Sequence, residues 1–334
     1  MWERRPVAVA LAVLLSAASA AAPGCSSLAP APQRLTVGLV DLPATGLFHV
    51  ARHEGYFREA GVELRVIPFP TGRDALAALL DGRVDVATTF ETPLVSRALQ
   101  GDRPRILTTL HQSTRNTRVV VPEGRGIAGP EDLRGRRVGV VRGTNAEFFL
   151  ETLIALTGLD PADVREVDVL PQDMAPMLAR RQLDAVAIWY PWAVCGHPPL
   201  DKMQCIELFA DGYTEYSLLV TRDEILKTRR EGLTRMVRAL ARAERLVLDH
   251  PDAVLPALSA ELPSQGGPHL RESWRRVTPQ LGLDHLLVAV LEREADWFQQ
   301  RMDAPTPSLD LRTLLAPEIL LGIEPRAVTI LADE

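Results

Sequence analysis

The sequence predicts an α/β protein whose parallel-dominated sheets are flanked by helices and divided between two lobes. Three observations predict it. Strand-like apolar runs alternate with helix-like segments between residues 35 and 88, and the same alternation returns between residues 137 and 189. The 334 residues are 46% hydrophobic and 24% charged, which is the composition of a globular protein of one or two domains. Strand–helix–strand units at this spacing form parallel sheets with right-handed crossings.

The first stretch contains three strands and two helices. Segment 46–58 has apolar residues that do not alternate, which indicates a helix. A second helix begins after Thr71 and ends before Gly82, because glycine is well suited to the turn that follows a helix. The apolar runs around these helices are rich in β-forming residues. The predicted strands are Leu35–Val40, Val62–Phe69 and Val84–Thr88.

The second stretch repeats this order. Helices are predicted over 144–157 and 173–181, and each repeat ends with an apolar-Asp-apolar motif that opens its last strand, at Asp85 and at Asp184. We therefore expect two lobes of similar design. After Arg222 the sequence predicts mainly helices. The predicted strands of the second stretch are Arg137–Val141, Val164–Leu170 and Leu183–Trp189.

Residues 1–24 have the features of a secretory signal peptide. Two arginines precede an apolar stretch, Val7–Leu15, which is shorter than the ~20 residues that a membrane-spanning helix needs. Cleavage after Ala20 is one reading. In the other, Cys25 becomes the lipidated first residue of a lipoprotein. Residues 25–34 are rich in Ser, Ala and Pro and are interpreted as a tether. We expect a periplasmic or other extracytoplasmic protein that is held to the membrane through Cys25.

Several motifs resemble those of the substrate-binding proteins of ABC importers. In the first stretch they are Gly55-Tyr56-Phe57 followed by Gly61-Val62, and Asp81-Gly82-x-Val84-Asp85-Val86-Ala87. In the second stretch they are Asp132-Leu133-Arg134-Gly135, Arg137-Val138-Gly139-Val140 and Gly143-Thr144. The combination is similar to the nitrate, sulfonate and taurine class, which also includes carriers of thiamine-precursor pyrimidines. It covers roughly residues 35–298.

The resemblance implies a fold and a function. The fold is the type II-like periplasmic-binding-protein fold, with a ligand cleft between two lobes that two chain crossings connect. The lobe boundaries implied are 35–121 with 213–334 for the first lobe and 122–212 for the second. The function implied is capture of a small organic ligand by a monomer and its delivery to an inner-membrane ABC permease with its ATPase. An enzyme of the same fold, of lyase or pyrimidine-metabolism type, and a sensor for a signalling partner are the alternatives.

Ligands of open parallel sheets lie beyond the carboxyl ends of the strands, which selects a set of loops in this sequence. Gly72 and Gly143 each precede a helix start, where free backbone N–H groups favour an anion. The segment Trp189–Trp192 places three aromatic rings after a strand, and these rings either stack on a ligand or pack in the core. The candidate ligand-binding residues are Asp41, Thr45, Gly72, Arg73, Thr89, Phe90, Glu91, Arg142, Gly143, Thr144, Asn145, Trp189, Tyr190, Trp192 and Tyr213.

The charge of the ligand stays open at this point. Arg73 and Arg142 suit an anion, whereas Asp41 and Glu91 suit an amine. A sulfonate-like, nitrate-like or aromatic ligand is compatible with both sets.

Composition excludes several classes of function. The formal net charge of −6 argues against a nucleic-acid-binding surface. Three cysteines are too few for a thiolate zinc site, and His49 and His53 lack an evident third ligand, so no metal is expected. No nucleophile or cofactor motif is found, so we expect neither a cofactor nor catalysis. Cys195 and Cys205 are expected to form a disulfide, with two buried thiols as the alternative.

Overall fold

The structure is a computed structural model that describes residue 2 and residues 31–263, 268–301 and 309–330. The predicted signal peptide and the lipidation site at Cys25 lie outside the described residues. The chain divides into two units, Met1–Ala31 and Pro32–Glu334. The architecture reported below is that of the second unit.

The described residues form eleven strands in two sheets. The first sheet has the order β11-β4-β10-β3-β1-β2, and the second has the order β7-β6-β8-β5-β9. In chain order the strands are β1 (Gln33–Val40), β2 (Val62–Phe69), β3 (Val86–Phe90), β4 (Pro104–Ser113), β5 (Thr117–Pro122), β6 (Arg137–Val140), β7 (Arg165–Asp168), β8 (Ala185–Trp189), β9 (Cys205–Leu208), β10 (Glu215–Arg222) and β11 (Thr278–Pro279).

Helices cover both sheets, and each sheet with its helices is one lobe. Helices α5 and α6 pack on the second sheet, and the others belong to the first lobe. The helices are α1 (Gly46–His53), α2 (Tyr56–Glu59), α3 (Gly72–Leu80), α4 (Glu91–Leu99), α5 (Asn145–Ala155), α6 (Pro171–Ala179), α7 (Asp223–Thr228), α8 (Arg230–Asp249), α9 (Leu255–Glu261), α10 (Pro268–Arg275), α11 (His285–Gln299) and α12 (Pro317–Leu321). No helix in the described part of the chain is long and apolar enough to cross a membrane.

Each sheet has a parallel centre and antiparallel additions. In the first sheet β1 pairs in parallel with β2 and β3, and Val37 is opposite both Val66 and Val86. In the second sheet β6 pairs in parallel with β7 and β8. The pairings of β4, β5, β9, β10 and β11 are antiparallel. The α/β prediction is confirmed, but the sheets are mixed and not parallel-dominated. The strands on either side of each chain crossing pair antiparallel with their neighbours, and the local sequence pattern does not reveal this direction.

The chain passes between the lobes twice. The first crossing is residues 114–116, between β4 and β5, and the second is residues 209–214, between β9 and β10. The boundary expected after residue 121 is therefore wrong, because β5 pairs with β8 and β9 of the second sheet. An apolar strand carries no local signal of the sheet that it joins.

The long C-terminal helix α8 shows how the first lobe closes its core. Its buried residues recur at helical spacing and face α1, α2 and β1, while its other faces carry charge. This apolar stripe covers β1, the first strand of the chain. The buried residues include Leu233, Met236, Val237, Leu240 and Val247.

A disulfide cross-links the loop between β8 and β9. Cys195 and Cys205 form a disulfide with a Cα–Cα distance of 5.9 Å, and Cys205 is the first residue of β9. The bond ties the edge strand of the second sheet to the segment that follows Trp192.

Three carboxylates of the second lobe lie close together on α5 and β7. Oxygens of Glu147, Glu151 and Glu166 are all within 4.8 Å of one another. Glu151 is paired with Arg301 and accepts a hydrogen bond from Trp297 Nε1 at 2.9 Å. Burial, with the nearby charges of the other two carboxylates, raises the pKa of Glu166 to about 7.

We expect Gly46→Ala to destabilise the protein. A Cβ at Gly46 meets the buried ring of Trp274, with Cζ3 at 2.3 Å, so the helix or the ring must move. The expected loss in the free energy of unfolding is about 1–3 kcal/mol, measured by urea denaturation. Gly322→Ala is the matched control, because its nearest neighbour is an ordinary contact at 3.6 Å. Equal effects of the two substitutions contradict the clash.

We expect Glu166→Gln to make stability less dependent on pH. The folded protein holds the Glu166 proton more tightly than the unfolded chain, so the free energy of unfolding falls as pH rises from the ordinary value of 4.5 to about 7. Glutamine cannot lose a proton, so it removes this fall in stability. At pH 8 the variant is expected to have a free energy of unfolding about 1–2 kcal/mol above that of the native protein, once partial solvent exposure is allowed for. Urea unfolding at pH 5 and pH 8 measures it. The exposed Glu123→Gln is the control, and a gain that is the same at both pH values refutes the prediction.

Candidate functional site

A small cavity lies between the two lobes, where strands of both sheets end. Its volume is about 10 Å³, which is room for roughly one water molecule. Helices α3 and α4 and strands β1 and β3 contribute from the first lobe, and α5 and β8 from the second. The lining residues are Val40, Leu42, Thr71, Gly72, Arg73, Phe90, Pro93, Thr144, Asn145 and Trp189.

Helix α3 begins at the cavity and presents its first backbone N–H groups there. Thr71 is its N-cap and accepts a hydrogen bond from the Asp74 N–H at 3.2 Å. The first N–H groups of a helix lack intrahelical partners and suit an anion. Gly72 is required by close packing, because a Cβ there is 3.0 Å from the Cα of Thr89. The Thr89 hydroxyl donates to the Gly72 carbonyl at 2.9 Å, so Thr89 supports this turn from outside the cavity.

Helix α5 begins on the opposite side of the cavity. Thr144 is its N-cap, accepts from the Ala146 N–H at 3.3 Å and donates its hydroxyl to the Val141 carbonyl at 2.6 Å. Asn145 follows as the first residue of the helix. Gly143 has a φ of +69°, which favours glycine, and its N–H donates to Glu147 Oε2 at 2.7 Å. Helix starts from two different lobes therefore meet at one cavity.

Trp189 is the last residue of β8 and forms one wall of the cavity. Its side chain is buried, and its indole Nε1–H has no hydrogen-bond partner among the described residues. Buried polar groups are nearly always satisfied, so an unpaired donor on a residue that lines a cavity is a feature that a ligand can explain.

Arg73 connects the lobes beside the cavity. Its Nη1 donates to the carbonyl oxygen of Arg142 at 2.5 Å, across from the first lobe to the second. Arg142 itself is exposed and does not line the cavity. Of the two arginines predicted to meet an anion, the structure places only Arg73 at the cavity.

The two acidic candidates are turned to other partners. Glu91 is fully buried, accepts from the Tyr216 N–H at 3.0 Å, and has a pKa that burial raises well above its ordinary value. Asp41 Oδ1 lies 3.8 Å from His49 Nε2. Burial lowers the pKa of His49 to about 3, so this ring is neutral at physiological pH. Neither carboxylate lines the cavity.

Tyr190 packs between arginines outside the cavity. Its ring centroid is 3.6 Å from Arg118 Cζ and 4.3 Å from Arg276 Cζ, and its hydroxyl donates to Glu207 at 2.6 Å. Arg276 follows α10 of the first lobe, whereas Arg118 and Glu207 belong to the second. Tyr190 is therefore not among the residues that line the cavity, and its contact with a ligand stays a prediction. It joins the lobes through a cation–π stack.

Three other candidates also have structural partners. The Thr45 hydroxyl donates to the Val40 carbonyl at 2.7 Å. Trp192 is half-buried, and its backbone carbonyl accepts from Arg118. Tyr213 is buried and donates its hydroxyl to the Asn145 carbonyl at 3.4 Å.

Six of the fifteen predicted residues line the cavity, and each ends a strand or lies at the start of a helix. They are Gly72, Arg73, Phe90, Thr144, Asn145 and Trp189. The other four lining residues are not among the predicted ones, although Thr71 carries a sequence signal as the N-cap of a helix whose next two residues are predicted. The missed residues are Val40, Leu42, Thr71 and Pro93.

The family model described as NMT1/THI5 like matches residues 43–254, which is more than half of the chain. A protein of Brucella abortus (strain 2308), named as a binding protein, is 24% identical over 217 residues. That match covers 64% of this chain and 66% of the relative, just under two thirds of its length.

Solved structures share the fold. The alkanesulfonate-binding protein SsuA from Xanthomonas axonopodis pv. citri, bound to MOPS, has a TM-score of 0.72 and 18% identity, over 86% of this chain and 99% of SsuA. The desulfurization enzyme DSZB has a TM-score of 0.63 and 22% identity, over 88% of this chain and 99% of the enzyme.

These findings confirm the two-lobed α/β fold and the resemblance to substrate-binding proteins that the sequence motifs predicted. The similar proteins include binding proteins, while DSZB shows that an enzyme can share the fold. With its residues 43–254 matched by the family model, the chain belongs to the NMT1/THI5-like family.

Proposed function

We propose that the protein is an extracytoplasmic receptor that traps a small organic anion between its lobes and delivers it to an ABC permease. The anion has a sulfonate-like head and an uncharged tail. The observation that carries the proposal is at Trp189, which lines the same cavity as the starts of α3 and α5 and whose buried indole N–H is unpaired within the described part of the chain.

The donors around the cavity suit an oxyanion. The Trp189 indole, the Arg73 guanidinium and the first N–H groups of two helices all offer hydrogens, and a sulfonate has three oxygens to accept them. Among the described residues that line the cavity there is no carboxylate. A ligand amine therefore has no counter-ion there, which weighs against the amine that Asp41 and Glu91 suggested.

The rest of the lining suits an apolar tail. Val40, Leu42, Phe90 and Pro93 come from the first lobe, and Trp189 comes from the second. Rings and aliphatic side chains of this kind enclose most small organic ligands, while a few polar groups fix their orientation. An alkane or aryl tail is consistent with these contacts.

The size of the cavity implies lobe movement. A volume of about 10 Å³ admits a single water and no organic anion. Entry therefore requires the lobes to separate, and closure around the ligand is the hinge motion by which two-lobed proteins trap their ligands. The Arg73–Arg142 contact breaks and reforms in each cycle.

Export, anchoring and partner belong to the same proposal and rest on the sequence. Residues 1–24 direct export, Cys25 carries the lipid, and the permease with its ATPase receives the ligand from the monomer. The alkanesulfonate-binding protein SsuA, which has the same fold, suggests the sulfonate-like ligand of this proposal. The protein binds without catalysis, so it returns its ligand unchanged.

Ligand charge is tested with two compounds that have the same tail. We expect 1-hexanesulfonate to bind in isothermal titration calorimetry and hexylammonium not to bind, because the cavity offers donors and its described lining holds no carboxylate. MOPS is a second anionic probe. Tighter binding of hexylammonium refutes the proposed ligand class. Mass spectrometry of the recovered sulfonate tests the binding role, and any breakdown product contradicts it.

The indole donor is tested by Trp189→Phe, which keeps an aromatic wall and removes the N–H. The loss of one hydrogen bond to an anion is expected to weaken 1-hexanesulfonate binding about 10- to 100-fold. Trp192→Phe is the matched control, because Trp192 contributes its backbone carbonyl to Arg118 and lies away from the cavity. Equal losses in both variants argue against a direct bond from Trp189.

A further inference from the structure

We propose that Glu215 is a positioning residue of the ligand site, acting from the hinge through Asn145. Glu215 does not line the cavity, and it is the first residue of β10, directly after the second crossing. The inference rests on the proposed function, because its main readout is the affinity for an anion.

Glu215 is fully buried and accepts hydrogen bonds from the second lobe and from both crossings. Its carboxylate accepts from Asn116 Nδ2 at 2.5 Å, from Asn145 Nδ2 at 3.0 Å and from the Thr117 hydroxyl. Asn116 lies in the first crossing, and Thr117 and Asn145 belong to the second lobe. One side chain of the first lobe is thus bonded to the first crossing, to β5 and to the start of α5.

Two further groups complete the surroundings of this carboxylate. The Tyr213 hydroxyl, from the second crossing, lies 3.4 Å from Glu215 Oε2 and shares its one hydrogen between this carboxylate and the Asn145 carbonyl. His111 of β4 places Nε2 3.7 Å from Oε1. The carboxylate is therefore held mainly by neutral donors, which make charge-assisted hydrogen bonds to it.

These bonds fix the Asn145 side chain. Its Nδ2 donates to Glu215 and also to the Thr117 oxygen at 3.1 Å, so both amide hydrogens are used. The Tyr213 hydroxyl holds the Asn145 carbonyl at 3.4 Å. Asn145 is consequently held by its side chain and its backbone, and its own N–H remains for the cavity. The position of the first turn of α5 at the site depends on Glu215.

Two other buried carboxylates, Glu294 and Glu91, accept hydrogen bonds only within their own lobe, as far as the described residues go. Glu294 is equally buried, but its hydrogen-bond partner is the Thr92 hydroxyl of the same lobe, at 3.1 Å. Glu91 is bonded to the Tyr216 N–H, also of its own lobe. Glu215 differs from both because its donors come from the opposite lobe and from both crossings.

The test compares Glu215→Gln with Glu294→Gln. Glutamine at position 215 replaces one accepting oxygen with an NH₂ group, which faces the donors that surround this side chain. The hydrogen bond from Asn145 Nδ2 is then lost. Burial raises the pKa of Glu294 well above its ordinary value, so glutamine there resembles the neutral acid already present. We measure 1-hexanesulfonate affinity by calorimetry, and hydrogen exchange of residues 143–150 by mass spectrometry in the absence of ligand.

We expect Glu215→Gln to weaken binding about tenfold or more and to speed exchange in the first turn of α5. Glu294→Gln stays within about twofold of the native protein in both measurements. Native-like exchange and affinity in Glu215→Gln overturn the proposal, and so do equal losses in both variants. If the native protein binds neither 1-hexanesulfonate nor MOPS, the proposed ligand class fails, while the exchange data still decide the role of Glu215.

A second variant keeps the test decisive if Glu215→Gln does not fold. The double variant Glu215→Gln/Asn145→Asp reverses donor and acceptor, so that the introduced glutamine amide donates to the introduced carboxylate. We expect it to recover folding and slow exchange at α5. Its anion affinity stays low, because a negative charge now borders the cavity. Failure to recover the slow exchange contradicts the proposed contact.

Discussion

The geometry of the cleft depends on a buried carboxylate at the point where the chain passes between the lobes. Glu215 accepts hydrogen bonds from both crossings and from the second lobe, and its burial keeps solvent from competing for them. A buried acceptor with so many donors permits few arrangements of its neighbours. The two helix starts that border the cavity are therefore held in a defined relation, although they belong to different sheets.

Much of the fold and part of the site could be predicted from the sequence, because both follow from local rules. Gly72 with Arg73, and Thr144 with Asn145, stand where helices begin after strands, and the structure places all four at the cavity. The rule that ligands lie beyond strand ends identifies loops, but it does not say which side chain in a loop points inward. Thr45 precedes α1, Thr89 lies near the end of β3 and Glu91 begins α4, but nearby backbone groups hold their side chains.

What could not be predicted depends on contacts between distant parts of the chain. Tyr190 and Trp189 are neighbours of similar character, yet one packs between Arg118 and Arg276 and the other borders the cavity. Arg276 comes from the far end of the sequence, so no local pattern could separate the two rings. The same holds for β5, which reads as an ordinary strand and joins the second sheet because of its partners β8 and β9.

The contact of Arg73 with the backbone of Arg142 bears on the rates at which a ligand binds and dissociates. Because a guanidinium bonded to a carbonyl is not an ion pair, dissolved salt screens it only weakly. Salt does screen the electrostatic interaction between the proposed anion and the separated lobes. Ionic strength should therefore govern how fast an anion arrives and have little effect on how long it stays.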